Sequence, residues 1–369
     1  MGLKVLHIYK TYYPETIGGI ESFITTLSDA LRSYGIESKL AVTTTQKKRI
    51  DDNVFYFPQN FSVASTPFSL SFLKNFKSLA NEFDVLHYHF PWPFADFLQL
   101  TQRFGKPFIV TYHSDVIRQK ILNIPYQLLM QRFLKQAHVI VPTSSNYLNT
   151  SKVLKHYHDK CHVIPMGLDE KEYLDINSEK IAFWKNKVGE SFFLFLGVLR
   201  QYKGLEYLLD AVATTNIPLV IAGSGPQEQQ LKTQATDLKL KNVRFIGRVD
   251  EQDKSALYQL CRAVVIPSHL RSEAYCLTLV EGLMFGKPLI STEIGTGTSF
   301  VNQHNETGFV VAPQNPLQLR EALQQLQNDE ALCQQFGQAA RKRYEVFFTA
   351  ERMAKLYFEL YKKFGIISH

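Results

Sequence analysis

Cysteine is scarce in this chain. Four residues in 369 (Cys161, Cys261, Cys276 and Cys333) lie far apart, with no CxxC pair. That argues against a disulfide scaffold and against a zinc ribbon, and it fits a reducing compartment. Long hydrophobic runs are missing too. The longest, Phe192 to Leu199, has the length of a buried strand, far short of the roughly 20 residues that span a bilayer. The first residues carry no secretory-signal pattern, and Leu6 stands where a myristoylation signal needs Ser or Thr. There is no low-complexity tract, no short-period repeat and no DxD sequence. With 45% apolar and 20% charged residues, the disordered, collagen-like and coiled-coil classes are excluded. The length points to two domains.

Acidic residues are short in one half only. Residues 1–168 hold 18 Lys+Arg against 11 Asp+Glu, whereas residues 169–369 hold 23 of each, so the whole net charge of +7 sits in the first half. A basic half suits an anionic surface. No zinc finger, basic zipper or RNP motif accompanies it, so a membrane surface is expected and nucleic acid is not.

What is present is an alternation. Lys4–Tyr9 is an apolar run that ends in a loop. After Gly18-Gly19, the residues Ile20, Phe23, Ile24, Leu27 and Leu31 recur at helical spacing up to Gly35. Ser38–Thr43, Asp84–His87, Pro107–His113, His138–Pro142 and His162–Pro165 read as strands, with helices over 69–82 and 121–136. The pattern then restarts. Strands Phe192–Gly197, Pro218–Gly223, Val243–Ile246, Ala263–Pro267 and Pro288–Ser291 alternate with helices over 204–213, 226–238, 251–260 and 277–285. Residues 316–328 and 329–364 read as helical. Such alternation predicts two doubly wound parallel sheets with helices on both faces, joined near the polar stretch Pro165–Asn186.

Open parallel sheets bind ligands outside the carboxyl ends of their strands, and the candidate residues lie there. Gly18-Gly19 opens a helix, where close backbone approach and free N–H groups favour an anion. Arg200 and Lys203 follow a strand within Gly197–Gly204 and can clamp a diphosphate or simply be solvated. Ile221–Pro226 carries Gly223 and Gly225 after a strand. A dinucleotide fingerprint would need a further glycine at 228, where Glu228 stands. Glu273 and Glu281 are eight apart, about 12 Å if both lie on one helix, which is too far for a glycosidase pair but suits two ends of an extended ligand. His113, at the end of Val110–Asp115, can be base, substrate ligand or structural. His87 and His89 raise the same question one strand earlier.

In this order and spacing the chain resembles the retaining glycosyltransferases of family 4. The resemblance runs from Pro14–Glu21 through Thr111–Asp115, Ile164–Gly167, Gly197–Gly204, Gly223–Pro226, Phe245–Val249 and Glu273–Glu281 to the stretch from Thr307. It implies the α/β GT-B fold, two Rossmann-like domains facing a central cleft. Residues 1–168 would bind the acceptor, with a final helix of about 350–369 packed back on them. Residues 169–349 would bind the nucleotide sugar. The resemblance further assigns Arg200 and Lys203 to the diphosphate, Glu281 to the ribose and Glu273 to the sugar. Backbone at Cys276, Leu277 and Thr278, with Gly18, Gly19, Gly223 and Arg248, would complete the donor site. His113 would touch the sugar from the acceptor side, near His89 and Asp115. No metal is expected.

Two departures stand out. Val198 follows Gly197 where the family has arginine, and Cys276 replaces its glycine. The segments Tyr112–Lys120, Leu199–Leu205 and Ser291–Ser299 resemble bacterial mannosyltransferases of O-antigen and exopolysaccharide assembly. These imply GDP-mannose as donor and a lipid-linked glycan acceptor, the alternatives being a transferase of the same family that uses a GDP-deoxyhexose or UDP-sugar, or a sugar-nucleotide epimerase of the same fold. The enzyme would then work on the cytoplasmic face of the inner membrane. Residues 117–135, with Arg118, Lys120, Arg132 and Lys135 among apolar residues, can meet that membrane or pack on the sheet.

Overall fold

A computed structural model of the chain describes residues 2–16, 18–46, 51–102, 104–116, 123–173 and 177–363. It divides into two compact units, one formed by Met1–Gly167 with Ala350–His369 and the other by Leu168–Thr349.

The first unit opens with β1 (Lys4–Ile8), α1 (Gly19–Leu31), β2 (Glu37–Thr44), β3 (Val54–Pro58) and the small hairpin β4 (Phe61–Val63) and β5 (Thr66–Phe68). It continues with α2 (Leu70–Asn81), β6 (Val85–Phe90), α3 (Pro93–Gln102), β7 (Phe108–Tyr112), α4 (Asn123–Gln136), β8 (Val139–Pro142) and α5 (Ser145–Thr150). Its parallel sheet runs β3-β2-β1-β6-β7-β8. The order reverses between β1 and β6, where His7 sits level with His87.

The second unit begins with α6 (Ser178–Val188), β9 (Phe193–Leu196), α7 (Leu205–Val212), β10 (Leu219–Ala222), α8 (Glu228–Asp237), β11 (Val243–Gly247) and α9 (Glu251–Leu260). Then follow β12 (Ala263–Ile266), α10 (Leu277–Met284), β13 (Leu289–Thr292), α11 (Gly297–Val301), β14 (Gly308–Val311), α12 (Pro316–Asn328) and α13 (Glu330–Phe347). Its sheet, β11-β10-β9-β12-β13-β14, is again parallel and reverses between β9 and β12. Both strand orders are those of a Rossmann-like sheet. The strands are continuous apolar runs because both faces are covered: Val139–Val141, Phe193–Phe195 and Ala263–Ile266 are all buried.

Helix starts follow their caps. Ser69 accepts from Phe72 N at 3.2 Å, Asp250 and Asp253 form a reciprocal capping box, and Asn315 precedes Pro316. The last helix, α14 (Ala350–Lys363), returns to the first unit. It buries Met353, Ala354, Tyr357, Leu360 and Tyr361, and Tyr357 meets Phe23 of α1.

Two sequence expectations fail. Residues 329–364 are not one helix, because Phe348 leaves helical geometry and its carbonyl accepts from Leu168 N at 2.9 Å. His162–Pro165 is no strand; an isolated bridge at Cys161 and single bonds to β8 hold it. The two units divide at Gly167–Leu168, and the polar stretch Pro165–Asn186 holds most of α6, whose Trp184 is buried.

Candidate active site

In the second unit the chemistry gathers where the sheet reverses. β9 ends at Leu196 and the chain passes through Gly197 into a single 3-10 turn at Gln201–Lys203. That turn drops the Lys203 side chain into the protein, where it ion-pairs with Glu273, each side chain 9% exposed. Ser268, just past β12, donates to Glu273 Oε2 at 2.9 Å. Burial opposes the charge on Lys203, yet the carboxylate of Glu273 outweighs it and holds the ammonium above its ordinary value. Beside Ser268, His269 Nδ1 is buried without a hydrogen-bond partner among the described residues.

Glu273 precedes α10 and is not part of it. The 12 Å spacing expected for Glu273 and Glu281 on one helix therefore does not apply. Glu281 lies inside α10 and its carboxylate is enclosed. Lys254 Nζ donates to Oε1 at 2.9 Å, Tyr173 to Oε1 at 3.0 Å and Tyr258 to Oε2 at 2.5 Å. Burial would raise this carboxyl, but Lys254 and the two hydroxyls together hold it below its ordinary value. A carboxylate accepts about four hydrogen bonds, so three partners leave one position open. Sequence reading missed these partners, although Lys254 and Tyr258, four apart on α9, share one helix face.

Cys276 caps α10 in the left-handed region, at φ 78°. A glycine adopts that conformation freely, which accounts for the glycine at this place in the family pattern. Burial pushes the Cys276 thiol up to about 12, with the charge of Glu273 adding to the effect. Leu277 and Thr278 open the helix, so their N–H groups have no partner within it. The Thr278 hydroxyl donates to Leu196 O at 3.3 Å. Gly223, at φ 133°, has no room for a side chain: a Cβ there would stand 1.9 Å from Gly197 O. Arg248 is exposed and donates to Ser224 at 2.8 Å. Arg200 is exposed as well, with no ion pair or side-chain hydrogen bond to the described residues.

In the first unit the strand ends carry a row of imidazoles. His113 Nε2 meets His89 Nδ1 at 3.1 Å, and His89 Nε2 meets His7 Nδ1 at 3.0 Å. His87 bonds Thr111 at 2.7 Å and Tyr361 of α14 at 3.3 Å, and Thr111 also meets Tyr357 at 2.8 Å. All four rings are buried. Burial lowers His7 and His113 to about 3. His87 and His89 fall well below their ordinary value, by burial first and then by neighbouring imidazoles, His7 and His113 acting on His87, and His87, His7 and His113 on His89. The row is therefore neutral at pH 7. His7 Nε2 finds no partner among the described residues, and sequence reading did not single out His7.

Phe23 presents its edge to His113, which ties that ring to α1. At the start of α1, Gly18 is the cap and Gly19 the first helical residue. The buried side chain of Glu21 returns toward Gly18, so a carboxylate of the chain itself lies in this first turn. Asp115 accepts from Tyr112 at 2.9 Å and from Ser151 at 2.7 Å. Arg118 and Lys120 lie outside the described residues.

The family description "Glycosyltransferase Family 4" matches residues 17–172, and "Glycosyl transferases group 1" matches residues 177–343. An O-antigen chain mannosyltransferase of Escherichia coli is 46% identical over 364 residues, covering 97% of this chain and 98% of the relative. A D-rhamnosyltransferase of Pseudomonas aeruginosa is 46% identical over 353 residues, covering 94% and 93%. Among solved structures, sucrose-phosphate synthase of Thermosynechococcus elongatus superposes with a TM-score of 0.82 at 21% identity, covering 99% of this chain and all of that one. A glycosyltransferase of Rickettsia africae gives 0.77 at 19%, with both chains covered completely. Two reversing parallel sheets, the buried lysine–glutamate pair at one sheet's switch point and these likenesses agree: the chain belongs to glycosyltransferase family 4 and has the GT-B fold.

Proposed function

We propose that this enzyme transfers mannose from GDP-mannose to a hydroxyl of a lipid-linked glycan in bacterial surface polysaccharide synthesis, with retention at the anomeric carbon and no metal. The observation that carries the reading is the 46% identity to an O-antigen chain mannosyltransferase over nearly the whole chain. Residues 169–349 hold the donor; residues 1–168 with the final helix receive the acceptor. The enzyme works at the cytoplasmic face of the inner membrane.

Charge builds on the diphosphate as the glycosidic bond breaks, and Lys203 and Arg200 neutralise it. Lys203 is already fixed by Glu273, whereas Arg200 is unengaged and can fork onto phosphate oxygens. Glu273 accepts from hydroxyls of the transferred sugar, and Glu281 uses its open position for the ribose. Backbone N–H groups at Cys276–Thr278, with Gly18, Gly19, Gly223 and Arg248, line sugar and phosphates. Neutral His113, with His89 behind it and Asp115 nearby, meets the sugar from the acceptor side. The acceptor hydroxyl enters on the face that the diphosphate leaves.

A second donor, a GDP-linked deoxyhexose, is favoured by the equal identity to the D-rhamnosyltransferase. Calorimetry with GDP, UDP, ADP and their sugars in EDTA tests both readings. GDP binding that survives EDTA and tightens with mannose is the expected result. Tightening by the deoxyhexose alone moves the assignment to the second donor, and a preference for UDP overturns both.

A further inference from the structure

In the first unit α1 follows β1, the strand at which the sheet reverses, so the helix starts where open parallel sheets take ligands. Its first intrahelical bond runs from Ser22 N to Gly18 O at 3.1 Å. The N–H groups of Gly19, Ile20 and Glu21 therefore have no partner within the helix. Gly18 and Gly19 are exposed.

Glu21, the third residue of α1, is only 6% exposed. An acid at this place commonly accepts from the N–H of the cap residue, as Asp253 of α9 does from Asp250 N at 3.3 Å. Glu21 makes no such bond. Its carboxylate has no hydrogen bond and no ion pair among the described residues. Yet it lies against the turn, where a Cβ on Gly18 would stand 2.9 Å from Oε2. Burial lowers the Lys10 ammonium and the charge of Glu21 offsets only part of that, without an ion pair. A buried carboxylate without partners costs stability, of which the helix dipole returns a part. This one sits beside free N–H groups that open to solvent. Phosphate does not complete such a turn, because its charge would face the carboxylate. A sugar hydroxyl does, since it accepts from an N–H and donates to a carboxylate at once.

We infer that Glu21 and the Gly18–Gly19 turn form a binding site for a neutral sugar, with Glu21 accepting from one of its hydroxyls. The inference rests on the sugar-transfer reading above and deepens it. Gly18 and Gly19 then meet sugar and not phosphate, against the anion expected of two glycines that open a helix. The sugar is the transferred mannose or a ring of the acceptor, and the test separates the two.

The full chain, carrying isotopically labelled glycine, is titrated by NMR with methyl α-mannopyranoside, with GDP-mannose and with inorganic phosphate, and GDP affinity is measured by calorimetry. In the wild type the Gly18 and Gly19 signals are expected to follow a sugar and to ignore phosphate. Glu21→Gln is expected to lose about tenfold in sugar affinity, the worth of one hydrogen bond to a charged group, and to keep its affinity for GDP. Its two glycine signals are expected to gain a response to phosphate. Loss of the advantage of GDP-mannose over GDP assigns the site to the transferred sugar, and loss of mannoside binding assigns it to the acceptor. Melting separates a binding role from a structural one. Relieved of an unpartnered buried charge, Glu21→Gln is expected to melt no lower than the wild type, whereas loss of a helix cap would lower melting by roughly 2–4 °C. Wild-type glycine signals that follow phosphate or no sugar, equal sugar affinities in the two proteins, or lower melting with sugar affinity kept overturns the inference. Wild-type failure to bind GDP counts against the donor reading and leaves the mannoside and phosphate titrations standing.

Discussion

Lys203 and Glu273 are each the other's main compensation for being buried. A charge left alone in such a place is costly, so Lys203→Met is expected to destabilise the second unit by about 3–5 kcal/mol. Adding Glu273→Gln removes the orphaned charge, and much of the loss is expected to return in a urea titration, while transfer stays abolished. A double variant no more stable than Lys203→Met would mean that the pair contributes nothing as a pair. At this scale the sequence reading named both residues, because a cation after a strand and an acid before a helix are visible as residue types. It missed their mutual contact, since that depends on a 3-10 turn no periodicity announces. Lys254, Tyr258 and Tyr173 around Glu281 were missed for a related reason: they approach from α9 and from a loop about a hundred residues upstream.

Among elements, α10 begins under strain. Cys276 holds a positive φ that a β-branched side chain tolerates poorly. Cys276→Val is therefore expected to unfold about 2 kcal/mol more easily than Cys276→Gly, measured by chemical denaturation of both. Equal midpoints would show that the loop relaxes around the cap. Strands with continuous apolar runs and helices with a cap and a stripe were legible, as in α9 and α12. The elements that escaped notice are marked by context. β3 is largely half-buried, β4 is wholly exposed, and α6 has a mostly polar surface around Trp184. The end of α13 escaped because Tyr344, Phe347 and Phe348 continue a helical pattern. The break comes from pairing with Leu168, a residue about 180 positions away.

For the whole molecule, the buried imidazoles set an acid limit. His7 and His113 titrate near 3 when folded and near 6.5 when unfolded, so the unfolded chain binds more protons between those values. Their contribution is complete above about pH 6.5 and is lost as pH falls toward 3. Each is expected to cost about 2 kcal/mol of stability between pH 7 and pH 5, read from urea midpoints. His7→Phe should flatten that slope; an unchanged slope would place the acid sensitivity elsewhere. The helix α14 matters at the same scale, because Tyr357 and Tyr361 close the polar side of this row. Removing residues 350–369 is expected to lower the melting of the first unit and leave the second unit's transition in place, as separate calorimetric peaks would reveal.

The return of α14 also fixes an order of events during synthesis. The unit formed by Leu168–Thr349 is continuous and can close as soon as it has left the ribosome. The unit that emerges first cannot, because its last helix is made last. Until then the α1 stripe around Phe23 lacks its cover, and Thr111 and His87 lack their tyrosine partners. The usual sequence, amino-terminal domain first, is thus inverted. A nascent chain of this enzyme carries an unfinished first domain until the residues from Ala350 onward are made, and any product truncated before residue 350 stays recognisable as incomplete.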